Sequence, residues 1–334
     1  MTAERPRVAL IFTGGTIDSV GVDRLDLAWY IEAGKRLDDG ELVARIPELG
    51  SVADVEEVPF RRLPSQAITD RDLFDLVALI HEIFESGRAD GIVITHGTNT
   101  LEETAYFLHL TLKTDKPVVV VGSMRPSSAI SADGYLNLLN GVRVAGDPAS
   151  VGMGVLVVLN DTIYSARDVT KTATYRVDTF QGRDLGPLGY ADNDGRVVYY
   201  HRPLRPHTTA TEFDLAGIEA LPRVDIVVSY LGADGTMIDA AVAAGARAII
   251  SAGTGAGRPT PGEDAALERA SAAGVLISQG TRVGSGRTVR SPGLKRRGWV
   301  ATDNLQPWKA RILLRLALAG TSSPDAIQQI VDTY

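Results

Sequence analysis

The stretch Val8–Thr16 reads VALIFTGGT, five apolar residues followed directly by a threonine- and glycine-rich turn. A short apolar run without polar alternation is typical of a strand that is buried on both faces of a parallel sheet. The two adjacent glycines permit positive φ and let backbone N–H groups approach a ligand closely. The stretch therefore predicts a buried strand that ends in a loop at the carboxyl edge of a sheet.

Comparable apolar runs recur along the chain. The predicted strands are Val8–Phe12, Gly91–Thr95, Pro117–Val121, Val155–Leu159, Val224–Ser229, Ala248–Ser251 and Val275–Ser278. Segments of helical period lie between them, such as Asp70–Phe84 and a helix that opens near Thr100. Strands that alternate with helices favour an α/β fold with a mostly parallel sheet, in which ligands bind beyond the carboxyl ends of the strands.

This alternation breaks between Arg183 and Pro222, where turn sequences, several prolines and one short strand, Arg196–Tyr200, occur. We therefore predict a larger α/β domain over residues 1–200, a linker over 201–222 and a smaller α/β domain over 223–334. Two closing helices are expected at Pro307–Leu318 and Pro324–Tyr334.

Composition excludes several chemistries. The 334 residues carry a net charge of −7, which disfavours a general nucleic-acid binder, and cysteine is absent, which excludes thiol nucleophiles and thiolate metal sites. No Walker A loop, dinucleotide fingerprint or zincin motif is present, so no metal or cofactor is predicted. The first apolar run is shorter than the roughly 7–15 residues of a signal peptide, and no stretch reaches the ~20 of a membrane span. A cytoplasmic location without membrane contact is expected.

Three segments carry candidate chemistry. Thr16 and Thr98 each lie in a Thr/Gly loop after a strand, where a hydroxyl could act as a nucleophile; the alternative is a plain turn, with Thr98 or Asn99 capping the next helix. The acids Glu102 and Glu103 complement the dipole of that helix. Lys171 is either a solvated surface charge or a partly buried base for a nearby hydroxyl.

Together these residues closely resemble the bacterial-type L-asparaginase family, which includes the glutaminase-asparaginases. The signatures are Thr13–Ile17 (TGGTI), Val93–Thr98 (VITHGT) and Glu102–Ala105 (EETA), followed by Gly122–Pro126 (GSMRP), Ser131–Gly134 (SADG) and Arg167–Lys171 (RDVTK). The similarity extends over nearly the whole chain. It implies a two-domain fold whose larger N-terminal catalytic domain has a mostly parallel sheet with helices on both faces, followed by a smaller C-terminal α/β domain.

The resemblance also implies the reaction, which is hydrolysis of a carboxamide through an acyl-enzyme. Thr16 would be the nucleophile, Thr98 the second catalytic threonine, Lys171 its basic partner and Tyr30 the tyrosine that activates the nucleophile. The residues implied to bind substrate are Gly15, Ser65, Gln66, Gly97, Asn99 and Ser123, with the Ser65–Gln66 pair holding the α-carboxylate. A homotetramer of intimate dimers, in which each site is completed by a neighbour, is implied as well.

The sequence departs from the family pattern where an amino group should bind. Asn99 stands where the family carries Asp, Ala256 stands in a usual Gly-Asn-Gly, and the segment expected to supply a partner glutamate, residues 281–291, contains no acid. The six cations between Arg282 and Arg297 make this region locally basic. Three readings stay open: an asparaginase, a hydrolase of a modified amide or lactam without a free α-ammonium, and a non-catalytic amide-binding relative.

Overall fold

The computed structural model describes residues 5–334, apart from the side chain of Ala33. The chain divides into two compact units, one that ends at Thr211 and one over Glu212–Tyr334. Among residues 5–334, no helix combines the length and the apolar character needed to cross a membrane.

The strands of the first unit are β1 (Arg7–Phe12), β2 (Ser19–Val20), β3 (Lys35–Arg36), β4 (Asp54–Pro59), β5 (Gly91–Thr95), β6 (Val118–Val121), β7 (Val155–Leu159), β8 (Thr162–Ser165), β9 (Thr170–Lys171), β10 (Phe180–Gln181), β11 (Gly189–Ala191) and β12 (Val197–Tyr199). Its helices are α1 (Tyr30–Ala33), α2 (Glu41–Ala44), α3 (Leu49–Val52), α4 (Asp70–Glu85), α5 (Leu101–Thr111) and α6 (Gly134–Gly146). Short 3-10 helices lie at Thr16–Asp18, Ser65–Ala67, Pro148–Ser150 and Thr208–Ala210.

Eight of these strands form the main sheet, in the order β12-β11-β8-β7-β6-β5-β1-β4. The five from β7 to β4 are parallel, whereas β8, β11 and β12 are antiparallel additions. β6 is four consecutive buried valines, as expected for a strand covered on both faces. The prediction of a mostly parallel sheet is therefore confirmed.

Helix α6 packs closely on one face of this sheet. Gly141 allows the approach, because a Cβ at this position would lie 2.5 Å from Val121 Cγ1. Leu138 and Val142 of the same helix join the core that includes Leu10 and Val93. Helix α4 begins with a capping box, in which Thr69 and Asp72 each bond the other's backbone N–H, and it matches the predicted Asp70–Phe84 closely.

The second unit is built on a parallel sheet of β13 (Val224–Val228), β14 (Ala248–Gly253), β15 (Leu276–Thr281) and β16 (Val300–Ala301), in that order. Its helices are α7 (Thr236–Ala243), α8 (Pro261–Ala272), α9 (Pro292–Arg296), α10 (Pro307–Gly320) and α11 (Pro324–Thr333). A separate core holds these elements together, including Ile249, Leu267 and Trp299. The predicted two-domain α/β architecture is thus confirmed.

Candidate active site

Four loops leave the main sheet at the same edge. Phe12, the last residue of β1, pairs with Pro59 of β4 and Thr95 of β5, and Thr95 in turn pairs with Val121 of β6. Because these parallel strands end in register, the segments after them emerge side by side. These loops carry Thr16, Ser65 and Thr98, together with Ser123.

Backbone contact between two of these loops depends on glycine. Gly15 has φ +118°, and a Cβ there would lie only 2.7 Å from the backbone nitrogen of Gly97. A Cβ on Gly97 would in turn lie 2.8 Å from Ser65 Oγ. Real Cβ atoms do not come this close to other heavy atoms, so both positions exclude a side chain. The two glycines therefore bring the Thr16 loop, the Thr98 loop and Ser65 together.

Thr16 is hydrogen-bonded to Tyr30, with 2.9 Å between the two hydroxyl oxygens. Thr16 opens a short 3-10 helix, and Tyr30 is the first residue of α1. Burial raises the pKa of Tyr30, although its hydrogen bond to Thr16 acts in the opposite direction. The phenol is therefore neutral near pH 7, so that either hydroxyl can donate in this pair.

The segment that carries Tyr30 is tied down at several points. β2 and β3 pair with each other on either side of it. The Oγ of Ser127 donates to Ser19 O at 2.8 Å, and the N–H of Gly21 donates to Ser128 Oγ at 2.8 Å. These bonds hold residues 19–36, here called the Tyr30 loop, against the segment after β6.

Thr98 is hydrogen-bonded to Lys171, whose Nζ donates to Thr98 Oγ1 at 2.8 Å. Lys171 lies at the end of β9, and Thr98 is buried. Burial lowers the pKa of Lys171, while the negative charge of Glu102 opposes this effect. A lysine with a lowered pKa is a better proton acceptor for the threonine hydroxyl at neutral pH.

A third pair joins Asn99 to Gln66. Asn99 Nδ2 donates to Gln66 Oε1 at 3.2 Å, and both side chains are exposed. The neighbouring Ser65 is buried, and its Oγ has no hydrogen-bond partner among the described residues. Thr100 Oγ1 donates to Ser65 O at 2.8 Å and so fixes the Ser65 turn beside the Thr98 loop.

Ser123 and His96 are both buried, and His96 Nδ1 is hydrogen-bonded to Gly97 O at 2.8 Å, whereas its Nε2 has no partner among the described residues. Ser123 is fully buried, and its Oγ donates to Arg125 O at 2.9 Å. The turn that follows is held by Asp133, whose carboxylate accepts from the N–H groups of Met124 and Arg125. His96 has its pKa lowered to about 4 by burial, so it is neutral near pH 7. Among residues 5–334, no group of three or more His, Asp or Glu side chains could hold a metal ion.

The contacts of Glu102 and the N-cap of α5 differ from what the sequence predicted. Glu102 was expected only to complement the helix dipole, but its Oε1 accepts from Thr170 Oγ1 and from the Lys171 N–H, both at 3.0 Å. The alternative that Thr98 or Asn99 caps α5 is wrong, because the N-cap is Thr100. A partner almost 70 positions away leaves no local pattern, so no signal in the sequence pointed from Glu102 to Lys171.

Known proteins match this chain over both units. Residues 7–205 match the family model "Asparaginase, N-terminal", and residues 223–331 match "Glutaminase/Asparaginase C-terminal domain". The chain belongs to the asparaginase family. It is therefore an amidohydrolase of the L-asparaginase type, an enzyme that acts on carbon–nitrogen bonds other than peptide bonds.

Individual members of the asparaginase family are similar over nearly their full length. L-asparaginase 2 of Bacillus subtilis is 41% identical over 98% of this chain and 87% of its own. The glutaminase-asparaginase of Pseudomonas fluorescens is also 41% identical, over 98% of this chain and 90% of its own. A crystal structure of a probable cytoplasmic L-asparaginase from Campylobacter jejuni superposes with a TM-score of 0.94 at 38% identity, covering 99% of this chain and 100% of that one.

In this asparaginase-family chain, three of the six cations of the basic segment 282–297 are paired with carboxylates of the same unit. Arg287 is paired with Asp303, and Arg290 Nη1 lies 2.6 Å from Asp325 Oδ1. Arg297 is paired with Asp264 at 2.7 Å. The absence of acids in this stretch of sequence therefore overstates its charge, because carboxylates from other elements of the second unit compensate it.

Proposed function

We propose that this asparaginase-family enzyme hydrolyses the side-chain amide of L-asparagine, or of a close relative, through an acyl-enzyme on Thr16. The observation that carries the proposal is the presence of two polarised threonines at one sheet edge, Thr16 with Tyr30 and Thr98 with Lys171. Two activated hydroxyls suit a reaction in two stages, in which an amide is displaced first and an ester is hydrolysed second.

In the first stage, Thr16 Oγ1 forms a bond to the carboxamide carbon. The hydroxyl proton of Thr16 passes to Tyr30 while the phenolic proton of Tyr30 moves to the departing nitrogen. The carbon–nitrogen bond breaks, ammonia leaves, and Tyr30 is again neutral. The raised pKa of Tyr30 fits such a relay, because the phenol gains and gives a proton within one step.

In the second stage, water attacks the acyl carbon. Thr98 Oγ1 takes a proton from the water as its own hydroxyl proton passes to the neutral amine of Lys171. The bond from the acyl carbon to Thr16 Oγ1 breaks, and the proton from Lys171 is returned to Thr16, so the enzyme is restored. The pKa of Lys171, lowered by burial, increases the fraction of neutral amine available near pH 7.

The remaining residues suit the two ends of an amino-acid substrate. We assign Ser65 and Gln66 to the α-carboxylate, and the buried Ser65 Oγ that lacks a partner supports this, since such a hydroxyl is normally satisfied by a ligand or water. Asn99 is assigned to the α-nitrogen. Gly15, Gly97 and Ser123 are assigned to the surface of the site that surrounds the bound substrate.

A second candidate substrate is an amide without a free α-ammonium, such as an N-acylated asparagine or a lactam. The observation that favours it is the neutral Asn99–Gln66 pair, which offers amide dipoles and no formal charge. A carboxylate at this position would add the Coulomb attraction of a full negative charge for an ammonium, which a neutral amide does not supply. The non-catalytic alternative would require two polarised threonines that do no chemistry.

Ammonia release measured over a panel of L-asparagine, L-glutamine, N-acetyl-L-asparagine and a lactam tests these proposals. Thr16→Ala should abolish turnover while the protein stays folded. Thr209→Ala is the matched control, because Thr209 is an exposed threonine in the 3-10 helix Thr208–Ala210, outside the loops that carry the site residues. Activity retained in Thr16→Ala would show that another residue is the nucleophile. Absence of turnover on every amide, together with tight binding of one of them, would favour the non-catalytic amide-binding alternative.

Asn99→Asp separates the two substrate classes. If free L-asparagine binds through its ammonium, kcat/KM for it should rise about tenfold, which corresponds to ~1.4 kcal/mol for the added attraction between a carboxylate and the ammonium. Turnover of N-acetyl-L-asparagine should fall in the same variant. Unchanged ratios would mean that residue 99 does not contact the α-nitrogen.

We also infer a cytoplasmic homotetramer built of intimate dimers. Support comes from the family resemblance and from the C. jejuni relative, which is described as cytoplasmic, although a Haemophilus influenzae relative is described as periplasmic. Light scattering after size exclusion tests the tetramer, and a mass near that of one 35.6 kDa chain would contradict it. Fractionation of the native cell tests the location.

A further inference from the structure

Glu102 is a buried carboxylate next to the residues assigned to chemistry. It is the second residue of α5, and its side chain is only 5% exposed. One of its oxygens, Oε1, accepts hydrogen bonds from Thr170 Oγ1 and from the backbone N–H of Lys171, each at 3.0 Å. It thus connects the helix that follows Thr98 to the strand that carries Lys171.

The strand that carries Lys171 is short. β9 has two residues and pairs only with β10, so that it lies outside the eight-stranded sheet from which the threonine loops emerge. A two-stranded ribbon is marginally stable by itself. The bonds to Glu102 therefore fix the position of Lys171 relative to Thr98, four residues before Glu102 in the sequence.

The charges near Lys171 come from two elements. Glu102 acts on the Lys171 ammonium from α5, and the same carboxylate acts on Arg183, in the segment after β10. Arg183 also faces Asp184, and Glu103 follows Glu102 on α5. Residue 99 adds no charge, since it is an amide.

We propose, on the basis of the function proposed above, that Glu102 is the positioning residue for Lys171. Its carboxylate anchors β9 so that Nζ reaches Thr98 Oγ1, and it supplies the negative charge that the ammonium faces. The chain thereby keeps a carboxylate partner for the lysine although the residue next to Thr98 is Asn99.

Two opposing effects set the protonation of Lys171. Burial lowers its pKa, and the charge of Glu102 raises it. When Glu102 is replaced by Gln, the shape is kept but burial acts unopposed, so the lysine loses its proton at lower pH. Since the neutral amine is the active form in the proposed second stage, the acid limb of the pH–rate profile moves with it.

Glu102→Gln and Glu103→Gln form a matched pair, because both remove one acid from the first turn of α5 and change the helix dipole interaction equally. The acid limb of kcat/KM, measured on the best substrate of the amide panel, should move to lower pH by on the order of 0.5 unit in Glu102→Gln. Glu103→Gln should keep the wild-type profile. Identical acid limbs in the two variants would overturn the proposal.

A direct titration separates this proposal from the proposed function. The six lysines of the chain can be followed by NMR after reductive ¹³C-methylation, with Lys171 assigned from a Lys171→Arg variant. A lower titration midpoint for Lys171 in Glu102→Gln supports the role of Glu102 even if the acid limb of the pH–rate profile does not move. In that case the assignment of Lys171 as the base is wrong, and the proposal for Glu102 stands. An unchanged midpoint overturns the proposal whatever the activity.

If Glu102→Gln does not fold, Glu102→Asp is the alternative variant, because it keeps the charge on a side chain that is shorter by one methylene group. We expect kcat to fall at least fivefold in Glu102→Asp while the acid limb of the pH–rate profile stays in place. Wild-type kcat in that variant would contradict the anchoring role.

Discussion

Gly15→Ala should destabilise the first unit and separate the two threonine loops. The φ of +118° is a backbone conformation that costs an alanine about 1–3 kcal/mol. The new Cβ would lie 2.7 Å from Gly97 N and 2.8 Å from Gly97 Cα, and overpacking against rigid atoms costs a further ~1–3 kcal/mol. The total is about 2–6 kcal/mol, which lowers the Tm of a domain of this size by roughly 4–24 °C.

Gly87→Ala is the matched control. Gly87 also has a positive φ, +72°, but a Cβ there would meet nothing within 4 Å, so only the backbone strain of ~1–2 kcal/mol is expected. The difference in Tm between the two variants therefore reports the clash between the Gly15 and Gly97 loops together with the difference in backbone strain at the two positions.

The assay combines thermal melts followed by circular dichroism with ammonia release. Because Gly97 directly precedes Thr98, the clash should also displace this threonine, and kcat should fall at least tenfold in Gly15→Ala only. If Gly15→Ala has the same Tm as Gly87→Ala and the kcat of the wild type, the close approach of the two loops is not required for stability or activity. That result would refute the reasoning from their contact.

Two further predictions concern single groups. Tyr30→Phe removes the hydroxyl that bonds Thr16, and kcat should fall about 10²-fold with little change in KM, the magnitude usual for one proton-transfer group; wild-type kcat would exclude Tyr30 from the relay. Asp18 is buried, and neither of its carboxylate oxygens has a hydrogen-bond partner among the described residues, although Arg62 Nη1 lies 4.0 Å from Oδ2. Burial raises the pKa of Asp18 despite the charges of Arg36 and Arg62. A raised pKa contributes stability at low pH that is lost as pH rises through the folded-state value, so Asp18→Asn should melt higher than wild type at pH 8, with the gain shrinking towards pH 4; a pH-independent gain would contradict this.

The strands that the sequence predicted are those whose burial is continuous. Val118–Val121 and Gly91–Thr95 are buried at every position, so local hydrophobicity alone marks them. β4 was not predicted, because it lies at the edge of the sheet and reads DVEEVP, with only Val58 buried. An edge strand exposes most of its side chains, and its pairing with β1 is not encoded in its own composition.

The site follows the same division. The positions of Thr16 and Thr98 were predictable because glycine-rich turns at strand ends are local features. Their partners were not predictable from physics alone, since Lys171 lies 73 residues from Thr98 and reaches it from a two-residue strand. The segment 282–297 has an excess of positive charge in the sequence. Part of this charge is compensated in the structure by carboxylates that are distant in the sequence, such as Asp264, and the local sequence does not show this.

β1 lies between β4 and β5 in the sheet, and both of these strands follow it in the chain. One hydrogen-bonding edge of β1 pairs with residues up to Pro59 and the other with residues up to Thr95, so the second partner is made about 80 residues after β1, which at roughly 5–20 residues per second takes on the order of 10 s. Throughout that interval the apolar run Val8–Phe12 has at least one unpaired edge, and an unpaired strand edge is a feature that promotes aggregation and binding by chaperones.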